Sequence, residues 1–97
     1  MSIAIITGSG GLIGAESVKF FSKKFDRIIG IDNDSRQYFF GKSASVKTNI
    51  DLLKKEIKNY IHQHIDIRDH NKIERIFKNY KRNISFILHL ASQPSHD

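Results

Sequence analysis

The stretch Ser2–Gly14, SIAIITGSGGLIG, decides how the rest of the chain is read. Ser2 to Thr7 is a short run rich in isoleucine that stops at a glycine. An unbroken apolar run closed by turn residues predicts a strand buried on both faces, as in a parallel sheet. Gly8, Gly11 and Gly14 follow in the spacing G-x-x-G-x-x-G, and a helical pattern begins inside them. Gly14, Val18, Phe21 and Phe25 are four, three and four residues apart, which puts them on one helix face. Each glycine has a physical reason. Gly8 allows a sharp turn off the strand, Gly11 clears the way for a diphosphate to approach the backbone, and Gly14 allows the helix to sit close to the sheet. The start of such a helix offers unpaired N–H groups and a partial positive charge to an anion.

A glycine triplet in arbitrary context is an ordinary turn, so the residues beyond it carry weight. Arg27–Asp32, RIIGID, is a second short apolar run, and it ends in a carboxylate 18 residues after Gly14. There Asp32 can accept hydrogen bonds from the ribose hydroxyls of an adenosine. This combination points to dinucleotide binding. A carboxylate at that place repels a 2′-phosphate and favours NAD over NADP, while Arg36 is of the type that accommodates the phosphate.

Further along, residues 33–45 read as a polar loop. Val46, Ile50, Leu53 and Ile57 form a helical stripe, and the helical pattern is drawn as far as Tyr60. Tyr60 to Ile67 has strand character. Asn71 with Glu74 resembles a capping box, and Ile73, Ile76, Phe77 and Tyr80 give the following helix its apolar face. Ser85–Leu90, SFILHL, is another buried-strand candidate. The order β-α-β-(α)-β-α-β predicts an α/β fold: an incomplete, Rossmann-type, doubly wound parallel sheet with strand order 3-2-1-4. The chain closes just past the fourth strand, which is expected to be left partly uncovered.

Composition sets outer bounds. The chain has 97 residues, 39% of them hydrophobic and 27% charged, which suits one globular domain at most. With no cysteine, a disulfide scaffold and a cysteine-based zinc site are excluded. No membrane span and no signal peptide are expected, and a cytoplasmic location is the default. The net charge is +6, but the lysines are scattered singly or in pairs, such as Lys23-Lys24 and Lys54-Lys55, without interleaved aromatics. The surplus therefore reads as solvated surface, and no nucleic-acid partner is expected. His62 and His64 alternate on a strand and read as an exposed face, with nothing nearby to complete a metal site. His89 reads as a buried or half-buried strand residue with one hydrogen bond.

Thr7–Gly14, Asp32-Asn33, Asp66-Ile67-Arg68-Asp69 and His89-Leu90-Ala91-Ser92-Gln93 together resemble the N-terminal half of the extended short-chain dehydrogenase/reductase family. These are the NAD-dependent sugar-nucleotide epimerases and dehydratases. Within that family, His89–Asp97 and Ile31–Arg36 look closest to epimerases of CDP-linked sugars. The resemblance implies that residues 1–97 are the N-terminal part of an NAD-binding domain. Gly8, Gly11 and Gly14 would form the diphosphate loop, with Leu12 and Ile13 supplying amides. Asp32, Asn33 and Arg36 would line the adenosine, and Asp66 and Ile67 the adenine ring. Leu90, Ala91 and Gln93 would run beside the nicotinamide-side ribose and the diphosphate. Asp66 also suits a strand-to-helix turn with a cap.

The family's sugar chemistry uses a Tyr-x-x-x-Lys pair after a fifth strand, and this sequence ends before that region. Tyr38 and Lys42 have that spacing, but Gly41 disfavours a helix there and the segment lies on the adenosine side. No catalytic residue is therefore expected in the chain. It would bind the dinucleotide without epimerising a nucleotide-sugar, in association with a second copy or with the rest of the family's domain. The alternatives are a 4-epimerase or 4,6-dehydratase of the same family, or a non-catalytic dinucleotide-binding module.

Overall fold

The computed structural model describes residues 1–32 and 46–90. Its elements, in chain order, are β1 (Ile3–Thr7), α1 (Leu12–Phe21), β2 (Arg27–Ile31), α2 (Val46–Glu56), β3 (Tyr60–Gln63), α3 (His70–Tyr80) and β4 (Ile84–His89). Among the described residues the strands form one parallel sheet in the order β3-β2-β1-β4. The α/β class and the strand order are as the alternation of apolar runs and amphipathic stretches predicts. The loop expected at 33–45 lies outside the described residues, and so do Tyr38 and Lys42.

Side chains alternate across a strand, so β1 divides its apolar residues between two cores. Ala4 and Ile6 join Ala15 and Val18 of α1, Leu53 of α2, Ile28 and Tyr60 on one face. Ile3 and Ile5 join Ile29, Ile31 and Ile76 on the other, where Ile73, Phe77 and Tyr80 of α3 pack against them. Helices thus cover both faces of the central strands, and every residue of β1 is buried. This is why a parallel strand reads as an unbroken apolar run.

β4 departs from that pattern. Its register against β1 shifts between Ile3 and Ala4, which pair with Ile84 and Phe86, leaving Ser85 as the extra residue of a bulge. Phe86 and Leu88 pack into the α1-side core, Phe86 against Phe21 and Phe25. Ser85, Ile87 and His89 are exposed, so the fourth strand is partly uncovered, as expected.

Two helix boundaries differ from the sequence reading. α2 ends at Glu56, although Ile57 continues its stripe. Asn59 accounts for the break: its side-chain amide donates to the carbonyls of Ser22 (3.0 Å) and Phe25 (3.1 Å), which anchors the start of β3 to the connection after α1. Tyr60 therefore opens a strand. α3 starts at His70, capped by Asp69, whose carboxylate accepts from the Lys72 amide at 3.3 Å. The Asn71–Glu74 box lies inside the helix. β3 itself ends at Gln63, and Ile65 and Ile67 pack on the α3 side from the connection that follows it. Among the described residues no helix is long and apolar enough to cross a membrane.

Candidate dinucleotide site

The carboxyl ends of the four strands are laced together. The Gly8 amide donates to the Ile31 carbonyl at 2.7 Å, the Asp32 amide to the Gln63 carbonyl at 3.2 Å, and the Leu90 amide to the Thr7 carbonyl at 3.1 Å. Thr7 Oγ1 strengthens the last junction, accepting from the Leu90 amide at 3.0 Å and lying 2.7 Å from His89 Nδ1. His89 is exposed rather than buried, but it has the one hydrogen bond expected of it. In open parallel sheets this edge is where ligands bind.

The glycine loop leaves β1 here. Gly8 has φ 73°, a left-handed conformation that favours glycine. Gly14 is buried on α1, and a Cβ there would overlap the Gly8 carbonyl group. Its role is thus to let α1 rest against the turn itself, a closer approach than the helix-to-sheet contact anticipated. Gly11 is the N-cap of α1 in an ordinary extended conformation (φ −73°, ψ 174°) and makes no side-chain cap hydrogen bond. Leu12 opens the helix, and Ile13 holds its side chain outward, 69% exposed.

Asp32, just past β2, meets this loop directly: its Oδ2 accepts from the Gly10 amide at 3.0 Å. Gly8, Gly11, Gly14 and Asp32 are therefore brought to one place. Leu90 arrives at the same edge through Thr7, with its side chain against the α1-side core.

Asp66 lies on the connection after β3, where its carboxylate takes the amide and guanidinium of Arg68. Those hydrogen bonds and the neighbouring charge raise the Arg68 pKa further. The Asp66 carbonyl also accepts from the Asp69 amide at 2.8 Å, so the segment is a strand-to-helix turn, with the cap supplied by Asp69. The Ile67 side chain packs into the α3-side core. Asn33, Arg36, Ala91 and Gln93 lie outside the described residues.

A second constellation has no signature in the sequence. Ser9, fully buried in the glycine loop, is hydrogen-bonded through Oγ to the Tyr60 hydroxyl at 2.9 Å. That hydroxyl lies 3.1 Å from His62 Nδ1. Gly30 makes room for it, since a Cβ there would collide with the Tyr60 hydroxyl and crowd Ser9 Oγ. Burial pushes the Tyr60 phenol up to about 12. His62 is half-buried rather than on an exposed face, and burial with the nearby Lys54 charge lowers its pKa. Among the described residues no group of three or more His, Cys, Asp or Glu is placed to hold a metal ion.

Among solved structures, the chain matches dTDP-glucose 4,6-dehydratase from Bacillus anthracis, solved in complex with NAD, with a TM-score of 0.70 at 19% identity, over 96% of this chain and 27% of that one. UDP-glucose 4-epimerase from Thermotoga maritima, solved with UDP-glucose, gives 0.66 at 25% identity, over 96% and 25%. The UDP-Glc/GlcNAc 4-epimerase from Campylobacter jejuni gives 0.67 at 24%, over 96% and 25%. The chain thus spans about a quarter of the length of these structures. Comparison with curated proteins gives no match. The family described as GDP-mannose 4,6 dehydratase matches residues 5–96, nearly the whole chain, and this protein belongs to that family.

Proposed function

We propose that the chain is the NAD-binding portion of a sugar-nucleotide epimerase. The observation that carries the reading is the hydrogen bond from the Gly10 amide to Asp32, which sets the glycine turn and the ribose-type acid side by side at the carboxyl edge of the sheet. The residues present fit a dinucleotide. α1 begins without a side-chain cap, so the first-turn amides of Leu12 and Ile13 suit an anion such as a diphosphate. Gly14 brings that helix start up against the Gly8 turn. Asp32 would take the adenosine ribose hydroxyls, with Asn33 and Arg36 beside it, and Asp66 and Ile67 would lie toward the adenine. Leu90, Ala91 and Gln93 would follow the nicotinamide side. The carboxylate of Asp32 favours NAD over NADP.

NAD held by these residues would supply hydride-transfer chemistry toward a sugar carbon. By the resemblance of His89–Asp97 and Ile31–Arg36, the substrate class is a CDP-linked deoxysugar, as for CDP-paratose 2-epimerase. The second reading is a 4-epimerase or 4,6-dehydratase, favoured by the solved structures that the chain matches. In either case the role assigned to these residues is to hold the dinucleotide, and none of them is assigned a catalytic one.

Calorimetric titration with NAD⁺ tests the reading. Gly11 has a backbone conformation open to any residue, so Gly11→Val is expected to fold while losing affinity by about tenfold or more. Unchanged affinity overturns the diphosphate-loop assignment. Incubation with NAD⁺ and a CDP-linked deoxysugar is expected to give no 2-epimer, and turnover by the pure chain overturns the assignment of these residues to binding alone.

A further inference from the structure

We propose that the chain of hydrogen bonds Ser9–Tyr60–His62 is a positioning strut for the glycine loop, and that it ties the loop's affinity for a dinucleotide to the protonation state of His62. The proposal rests on the dinucleotide reading of the loop and concerns residues outside the glycine motif.

The loop is held at two successive residues by two different strands. Gly10 is fixed through its amide by Asp32 at the end of β2. Ser9 is fixed through its side chain by Tyr60 at the start of β3, 51 residues away in sequence. Ser9 is 0% exposed and Tyr60 7% exposed, so neither hydroxyl has ready access to water in place of the other. The position of Tyr60 is itself specified. Its hydroxyl occupies the space that the missing Cβ of Gly30 leaves open, and its ring belongs to the core that α1 and α2 cover.

The direction of the hydrogen bonds depends on His62. With Nδ1 unprotonated, Tyr60 donates to it and Ser9 donates to Tyr60. With His62 doubly protonated, Nδ1–H donates to Tyr60, three hydrogens then share two contacts, and one of the two hydroxyl hydrogens is left without its partner inside a buried loop. Protonation therefore works against the loop geometry that the neutral strut holds. The groups facing His62 are Lys54 and Asp51 on α2, Asp32 past β2 and the neighbouring His64. Burial, Lys54 and His64 lower its pKa, while the two carboxylates oppose them. The neutral form is thus the resting one near neutral pH. The change falls below the ordinary histidine value of about 6.5.

The test is NAD⁺ titration of the full chain at about pH 8 and at a lower pH where NMR of the His62 ring shows it protonated. Wild type is expected to bind several-fold more weakly at the lower pH. His62→Asn keeps an acceptor near the Nδ1 position but does not titrate, and it is expected to flatten this dependence while keeping the affinity found at the higher pH. Tyr60→Phe removes only the hydroxyl and is expected to weaken binding about fivefold at the higher pH and also flatten the profile. A pH profile in either variant that matches wild type overturns the proposal. If wild type binds no NAD⁺ at either pH, the dinucleotide reading fails, and the strut is then judged by NMR on the free chain. The Ser9 amide shift is expected to follow the titration of the His62 ring, and the step is expected to vanish in Tyr60→Phe. A Ser9 shift that ignores His62, or a step that survives in Tyr60→Phe, overturns the strut.

Discussion

At the scale of single residues, the three glycines of the motif are not equivalent, and their backbone geometry ranks them. Gly8 sits at positive φ and Gly14 is held under the Gly8 carbonyl, whereas Gly11 has φ and ψ that any residue adopts. The first two are demands of folding, and the third is not, which agrees with the diphosphate role proposed for it. Gly14→Ala drives a methyl group into backbone, which cannot rotate aside as a side chain would. A gain in helix propensity of about 1 kcal/mol is available from Gly to Ala, but overpacking costs of about 1–3 kcal/mol oppose it. Gly14→Ala is therefore expected to show a net loss of stability in chemical denaturation. A midpoint at or above wild type would mean that α1 does not rest on the turn. The sequence pattern alone shows three glycines at equal spacing. It cannot rank them, because the ranking depends on which carbonyl each Cα faces. The partnership of Ser9 with Tyr60 was illegible for a related reason. It joins a loop to a strand 51 residues later through two common hydroxyls, and no spacing rule marks such a pair.

At the scale of elements, apolar runs made β1, β2 and β4 legible, and the stripe Ile73, Ile76, Phe77 and Tyr80 made α3 legible. Each is long enough for its period to show in the residue types, although β4, which reads as a buried run, is exposed at alternate residues. The boundaries were less legible, because capping competes among neighbouring polar residues. Asn71–Glu74 has the right spacing for a capping box, yet Asp69 caps the helix from two residues earlier. The turn explains the choice. The Asp66 carbonyl holds the Asp69 amide, which leaves the Asp69 carboxylate over the first turn of α3, where it also lies 3.8 Å from Lys72 Nζ. Its carbonyl in turn accepts from the Ile73 amide at 3.1 Å. Asp69→Ala is expected to cost about 1 kcal/mol of stability, while Asn71→Ala is expected to cost less than about 0.5 kcal/mol. Urea denaturation of the pair decides between the two starts, and the reverse ranking would place the cap at Asn71.

At the scale of the whole molecule, the described residues cover the β1–β2 part of one sheet face and leave its β4 part exposed. Ile5 and Ile87 show this within a single row. They are paired residues on adjacent parallel strands, yet Ile5 is 0% exposed and Ile87 is 49% exposed. The difference lies in what covers them, since α3 lays Ile73, Ile76, Phe77 and Tyr80 over the β1–β2 part of that face. Residue type alone, isoleucine in both places, does not reveal it, although the alternation of exposed residues along β4 agrees with a strand covered on one face. Removing one methylene group from each position measures the asymmetry with β-branching and strand preference nearly unchanged. Ile5→Val is expected to cost about 0.5–1.5 kcal/mol, in the range for a buried site that loses packing contacts. Ile87→Val is expected to stay within about 0.5 kcal/mol of wild type, as for a surface position. Equal costs in denaturation of the two variants would show that Ile87 is covered in solution. Sedimentation of the same samples would then reveal whether a second copy of the chain covers it, through a mass above that of a monomer which falls on dilution as Ile87 becomes tolerant again.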